Sequence, residues 1–245
     1  MLYSEEQIRA RYERRKKERT RQLLIRAGIC IGVVLIVIII VLIFVKSISS
    51  DKATEKQNTE DAVLLHKYID QQPTLDVQLL DVNKYSRPGL QLEKVNGIVV
   101  HYTANPGTTA QQNRDYFEGL AESHTTHASS HFIIGLEGEI VQCIPCNEIA
   151  YASNERNYDT IAIECCIEDE KGQFNEATYQ SLVKLVTWLM GRYNLTSADV
   201  IRHYDVTGKS CPKYYVDNPT EWDKFKQDLL DYIDEYGVEK EDSSL

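Results

Sequence analysis

The chain has 245 residues, with 27 Lys+Arg against 37 Asp+Glu, a formal net charge of −10, and 42% apolar and 9% aromatic residues. With 12 Gly and 6 Pro, this composition excludes a collagenous or wholly disordered chain and suits one domain with appendages. The negative sum argues against a nucleic-acid partner, yet it averages unlike segments: residues 1–26 carry +5, residues 27–45 carry no charge, and the remainder carries −15.

In chain order, residues 1–26 form a basic tail. The run AGICIGVVLIVIIIVLIFV at 27–45 follows; at about 1.5 Å per residue it spans roughly 28 Å, the thickness of a bilayer's hydrocarbon core. It reads as one N-terminal transmembrane helix, because a buried core helix seldom runs so far without a polar position. The competing reading is a cleaved signal peptide, for which Ser47 and Ser49 would suit the cleavage site, but the apolar run is longer than a usual signal core. The basic flank precedes the span, so the positive-inside rule places the N-terminus in the cytoplasm and the rest outside a cell membrane crossed once. Residues 46–84 are expected to be a juxtamembrane linker with one short helix near Asp61–Ile69, and 237–245 a polar tail.

Residues 85–236 alternate strand and helix signals. Short β-branched runs at 98–101, 131–134, 140–144, 160–167 and 200–203 read as strands, with a hairpin turn at GLEGE. Thr108 and Gln111 suggest a capping box for a helix reaching about Leu120, Asn175 suits the N-cap of a second, and Asn218-Pro219-Thr220 opens a third. The fold class expected is α/β: a single domain with a central mixed sheet flanked by helices.

His101 and His203 each end a predicted strand, and Cys211 follows His203 by eight residues. Two imidazoles and a thiol on rigid supports are what a catalytic Zn²⁺ takes as ligands, with a fourth position left open. The spacing matches no zinc-finger pattern.

The segments VVHYTANPG, SSHFIIGLEGEIVQCIP, NEIAYASN, TIAIECC and RHYDVTGKSCP, in that order, closely resemble the type-2 zinc-dependent N-acetylmuramoyl-L-alanine amidases. Those enzymes share a fold with phage T7-type lysozymes and peptidoglycan recognition proteins, and the similarity is to clostridium-like Gram-positive members. It runs from about Tyr85 to Tyr236 and carries nothing over to residues 1–84. The resemblance implies a zinc-dependent hydrolase of the amide between N-acetylmuramic acid and the stem peptide's L-alanine, with peptidoglycan as partner. It implies His101, His203 and Cys211 as zinc ligands and Glu164 and Lys209 as catalytic groups. Glu164 is also a lone acid in an apolar strand, which must be paired, neutral or functional. Thr103, Asn105, Tyr151 and Asn154 are expected to contact sugar or stem peptide; His131, which matches a recurrent His of the family, is expected either to contact substrate or support the site, or to serve packing. One departure is Ser130, which stands before His131 where the lysozyme branch has a Tyr.

Other residues carry weaker signals. His124 and His127 read as exposed polar residues, and pairing among Cys143, Cys146, Cys165 and Cys166 stays open, although the adjacent Cys165 and Cys166 must face opposite ways in a strand. Two further readings stand beside the enzyme: a peptidoglycan-binding receptor without hydrolysis, and an anchored scaffold whose working part is the basic tail. Protein partners and oligomeric state are not legible.

Overall fold

The computed structural model describes residues 66–240. The basic tail and the apolar run at 27–45 lie outside the described residues; among those described, no helix is long and apolar enough to cross a membrane.

Eight strands occur in chain order: β1 (Lys67–Tyr68), β2 (Asp76–Val77), β3 (Gly97–Tyr102), β4 (Phe132–Ile134), β5 (Ile140–Gln142), β6 (Thr160–Cys165), β7 (Val200–Arg202) and β8 (Val238–Glu239). The helices are α1 (Ala110–Ser123), α2 (Glu176–Tyr193), α3 (His203–Thr207), α4 (Lys213–Asp217) and α5 (Pro219–Tyr236). Six strands form one sheet in the order β2-β5-β4-β6-β3-β7. Only the β4–β5 pair in it is antiparallel, so the sheet is mixed, as expected.

The period-two alternation of a strand divides this sheet into two working faces. Ile98, Val100, Phe132, Ile134, Ile161, Ile163 and Cys165 point to one side, where Leu182, Val186 and Leu189 of α2 and Phe225, Leu229 and Ile233 of α5 meet them in one buried cluster. Each such side chain stabilises the fold by about 1.5–3 kcal/mol through removal from water. On the other side Ile133 and Val141 meet Ala110, Phe117 and Leu120 of α1. His101 and Glu164 fall on this second face, because each is one residue out of phase with the first set and the two are paired across β3 and β6.

Local chemistry sets the element ends. Asn175 caps α2 by accepting from Thr178 N–H at 2.9 Å, and Pro219 opens α5, where its missing N–H costs nothing. The turn between β4 and β5 closes at Gly138 (φ 81°), where a Cβ would stand 2.9 Å from the carbonyl oxygen of Ala177. The capping box of α1 lies one residue later than the sequence suggests. Thr109, in extended conformation, exchanges hydrogen bonds with Gln112, while the Thr108 hydroxyl donates to the carbonyl oxygen of Asn105.

Two boundaries differ from expectation. Residues 66–84 belong to the folded unit rather than to a linker: β1 and β2 lie there, and Ile69 and Leu80 are buried. No helix forms over the described end of the Asp61–Ile69 stretch; Lys67–Tyr68 is a strand, paired antiparallel with Val238–Glu239 of the expected tail. Lys67 also forms a 2.7 Å ion pair with Asp234. Weakly apolar sequence without a helical period gains its order from these long-range partners, which no local signal reveals. The five cysteines of the described residues are free thiols, and Cys165 and Cys166 do enter opposite clusters.

Candidate active site

His101 is the penultimate residue of β3, where the ladder to β6 pairs it with Glu164. His203 does not end a strand as expected: β7 stops at Arg202, and His203 begins α3. Arg202 makes that turn. Its guanidinium pairs with Asp205 at 2.7 Å, donates to the carbonyl oxygen of Tyr215 and lies over the Trp222 ring, while Asp205 accepts from the Arg202 backbone N–H. The chain then returns so that Tyr204 N–H donates to the carbonyl oxygen of Cys211 at 2.9 Å, which sets the thiol beside the imidazoles.

Three buried side chains thereby converge. The ligand atoms of His101, His203 and Cys211 lie within 4.8 Å of one another, and among the described residues no other group of three or more His, Cys, Asp or Glu could hold a metal ion. Cys211 Sγ is 3.8 Å from His101 Nδ1, and the two imidazoles meet edge to face with centroids 4.7 Å apart.

The protonation pattern fits a metal. His203 Nε2 donates to Asn154 Oδ1 at 3.1 Å, an oxygen that can only accept. His203 Nδ1 is therefore an unprotonated lone pair, and it is buried without a hydrogen-bond partner, a costly state for a polar atom unless something binds there. Burial holds His101 well below the ordinary histidine value, aided by His203 and Lys209, and burial with Lys209 also lowers His203. Both rings are thus neutral donors. Burial pushes the Cys211 thiol up to about 12, with Glu164 adding to the effect; a thiol in such a place becomes a thiolate only when a cation compensates its charge. The donor set suits Zn²⁺.

Glu164 lies directly across the ladder from His101. Its side chain keeps some solvent contact but is closely surrounded by protein, and Oε2 has no hydrogen-bond partner. Desolvation raises its carboxyl to about 8 against the opposing pull of Lys209, so it can hold or release a proton near neutrality. Lys209 is exposed on the loop between His203 and Cys211, and its charge acts on Glu164 and on all three prospective ligands.

Of the expected substrate contacts, Thr103 is next to His101 on the same face and has a buried Oγ1 with no partner. Asn105 is exposed on the loop beyond it. Tyr151 is half-buried, its backbone N–H held by Ser129 Oγ and its ring edge-to-face with His127 at 5.5 Å. His131 takes the packing role of the two expected, and does not contact substrate. It is 1% exposed, Nδ1 accepts from Ala162 N–H and Nε2 donates to the carbonyl oxygen of Glu148, which leaves no ring atom for a substrate. Asn154 is exposed, but its oxygen is occupied by His203. Ser130 is buried, with its hydroxyl donating to the carbonyl oxygen of Phe132. His124 and His127 are exposed, as expected, and pack against the Tyr85 ring.

Sequence reasoning missed Ser153, whose buried Oγ lies 3.1 Å from His101 Nε2, and Asn157, whose Oδ1 accepts from both Ala152 and Ser153 N–H. Both belong to a polar loop that no spacing rule links to strands 50 residues away.

The family profile described as N-acetylmuramoyl-L-alanine amidase matches residues 91–214, just over half of the chain and the whole of the site. The chain belongs to this family. Among its relatives are the N-acetylmuramoyl-L-alanine amidases CwlL of Bacillus licheniformis, 36% identical over 176 residues (66% of this chain, 48% of the relative), and BlyA of Bacillus subtilis, 33% identical over 168 residues (60% and 44%). This family member thus spans about half the length of the relatives it matches. The solved catalytic domain of XlyA is 28% identical and aligns with a TM-score of 0.54 over 64% of this chain and 99% of that one. The PlyG catalytic domain is 25% identical with a TM-score of 0.56, over 65% and 94%.

Proposed function

We propose that this protein is a membrane-anchored peptidoglycan hydrolase that cleaves the amide between N-acetylmuramic acid and the L-alanine of the stem peptide. The observation that carries the reading is the convergence of His101, His203 and Cys211 beside Glu164, within the segment that matches the family.

His101, His203 and Cys211 would hold Zn²⁺, which when bound supplies Lewis acidity towards water and a carbonyl oxygen. Glu164 accepts the proton of the attacking water and delivers a proton to the departing L-alanine amine; a carboxyl near 8 serves both tasks. Lys209 supplies positive charge where the amide oxygen becomes anionic. The burial that desolvates Glu164 also strengthens these charge interactions. Thr103, Asn105 and Tyr151 would meet the sugar or the peptide.

A receptor that binds peptidoglycan without hydrolysis is the competing reading. The presence of the Cys211 thiol, Glu164 and Lys209 together favours the enzyme. The decisive assay is digestion of purified peptidoglycan with mass analysis of the products. Free stem peptides beginning with L-alanine, abolished by chelation and restored by zinc, support the reading; disaccharide products without free peptide overturn it.

The anchor rests on the uncharged run at 27–45 and its basic flank. Fractionation tests the anchor: the full chain should sediment with membranes and resist high-salt extraction, and recovery in the soluble fraction would refute it.

A further inference from the structure

Both prospective histidine ligands are held from behind by one dipeptide. His101 comes from β3 and His203 from the start of α3, yet Nε2 of each ring finds its partner in consecutive residues, Ser153 and Asn154. The dipeptide is itself fixed. Asn157 Oδ1 accepts from Ala152 and Ser153 N–H at 3.0 and 2.6 Å, Ser153 is 1% exposed, and Asn154 adopts the left-handed conformation (φ 54°). That conformation disfavours most side chains but suits Asn. Arg156 and Asp159 close the following turn with a 2.7 Å ion pair.

We propose that Ser153 and Asn154 are positioning residues for the metal, acting as a single clamp that locks both imidazoles in the Nε2–H tautomer so that both Nδ1 lone pairs are free to join the Cys211 sulfur on the metal. The proposal rests on the reading of His101, His203 and Cys211 as ligands. For Asn154 the assignment follows from donor and acceptor types alone, since an amide oxygen accepts only from a protonated Nε2. The unpartnered, buried Nδ1 of His203 is what remains on the other side of the ring. The Ser153 hydroxyl can accept or donate; in the proposed tautomer it accepts from His101 Nε2 at 3.1 Å, which leaves His101 Nδ1 unprotonated, 3.8 Å from the sulfur. Without the clamp each ring could rotate about χ2 or take the other tautomer, and the preformed three-atom cage would have to be assembled at the moment of binding. Groups that orient a ligand in this way contribute about 10–100-fold to metal affinity.

The test uses the full chain and zinc itself. Asn154→Gly keeps the left-handed backbone available while removing the amide; Asn154→Asp retains an acceptor; Ser153→Ala removes the hydroxyl. Zinc affinity is measured by competition with a chromophoric chelator, and the imidazole tautomers of the metal-free chain are read from long-range ¹H–¹⁵N NMR. Asn154→Gly and Ser153→Ala should each weaken zinc binding about 10-fold or more, while Asn154→Asp stays within about threefold of the parent. In Asn154→Gly the His203 ring should also populate its second tautomer. Circular dichroism of the metal-free variants should match the parent, which separates positioning from folding. Affinities of Asn154→Gly and Ser153→Ala within twofold of the parent overturn the proposal. A parent chain that takes up no zinc overturns the ligand reading beneath it, and a parent that binds zinc tightly but leaves peptidoglycan uncut overturns the proposed activity while leaving the clamp standing.

Discussion

His131 makes acid stability a direct test of the packing. It sits at the start of β4 with both ring nitrogens committed: Nδ1 must be unprotonated to accept from Ala162 N–H, and Nε2 must be protonated to donate to Glu148. Burial lowers its pKa from 6.5 to about 4, partly offset by Glu148, which is itself paired with Arg87 at 2.7 Å. Because the folded value lies below the unfolded one, the unfolded chain binds more protons between pH 6.5 and 4, and stability falls as pH falls through that window. Above pH 6.5 both states hold a neutral ring and the group contributes no slope. At 1.36 kcal/mol per unit the full penalty below pH 4 is about 3 kcal/mol, of which about 2 kcal/mol is reached by pH 5. The assay is urea unfolding at pH 7.5 and pH 5 for the parent and for His131→Gln. The variant should be less stable at pH 7.5 by about 1–3 kcal/mol, since at least one buried backbone group loses its partner, and its loss between the two pH values should be about 2 kcal/mol smaller than the parent's. Comparing the two chains cancels the contributions of His101 and His203, which act in the same direction. Equal pH dependence in parent and variant would refute the claim that His131 is held neutral.

Three further outcomes are expected. Glu164→Gln should bind zinc as the parent does and lose about 10²–10⁴-fold in turnover on peptidoglycan; turnover near that of the parent would remove Glu164 from the chemistry. Cys211→Ser should release zinc at chelator concentrations the parent withstands, measured as metal content after dialysis, and retention of stoichiometric metal would exclude the thiolate as a ligand. Asn175→Ala removes the cap of α2 and should lower stability by about 1 kcal/mol, seen as a shift of the urea midpoint with unchanged slope; no shift would show that solvent replaces the cap.

The strands that carry the site were legible because a strand buried on both faces must be written in β-branched and aliphatic residues. GIVVHY and TIAIEC stand out for this reason, and so do the single polar residues His101 and Glu164 within them. The hairpin and the caps of α2 and α5 were legible for the same local reason, since φ, capping chemistry and a missing N–H act over three or four residues. The end of β7 was misjudged by one residue because Arg202 turns the chain through contacts with Asp205, Tyr215 and Trp222, two of which lie more than ten residues ahead. Residues 66–84 looked like a linker because their order depends on β8, β5 and the core rather than on any period of their own.

By itself, then, the order of amino acids determined the α/β class, the resemblance to the amidases, and which His, Cys, Glu and Lys residues to watch, because residue type and short-range periodicity are properties of the chain. Only the tertiary structure decided which polar groups are spent on the scaffold and which remain available. His131 was open between substrate contact and packing and Asn154 looked like a substrate contact, yet the first is consumed by two backbone groups and the second by the His203 ring, whereas Ser153 carried no signal and lies directly behind His101. The physical reason is that a hydrogen bond is decided at about 3 Å, and the loops that meet His101 lie more than fifty residues from it in the chain.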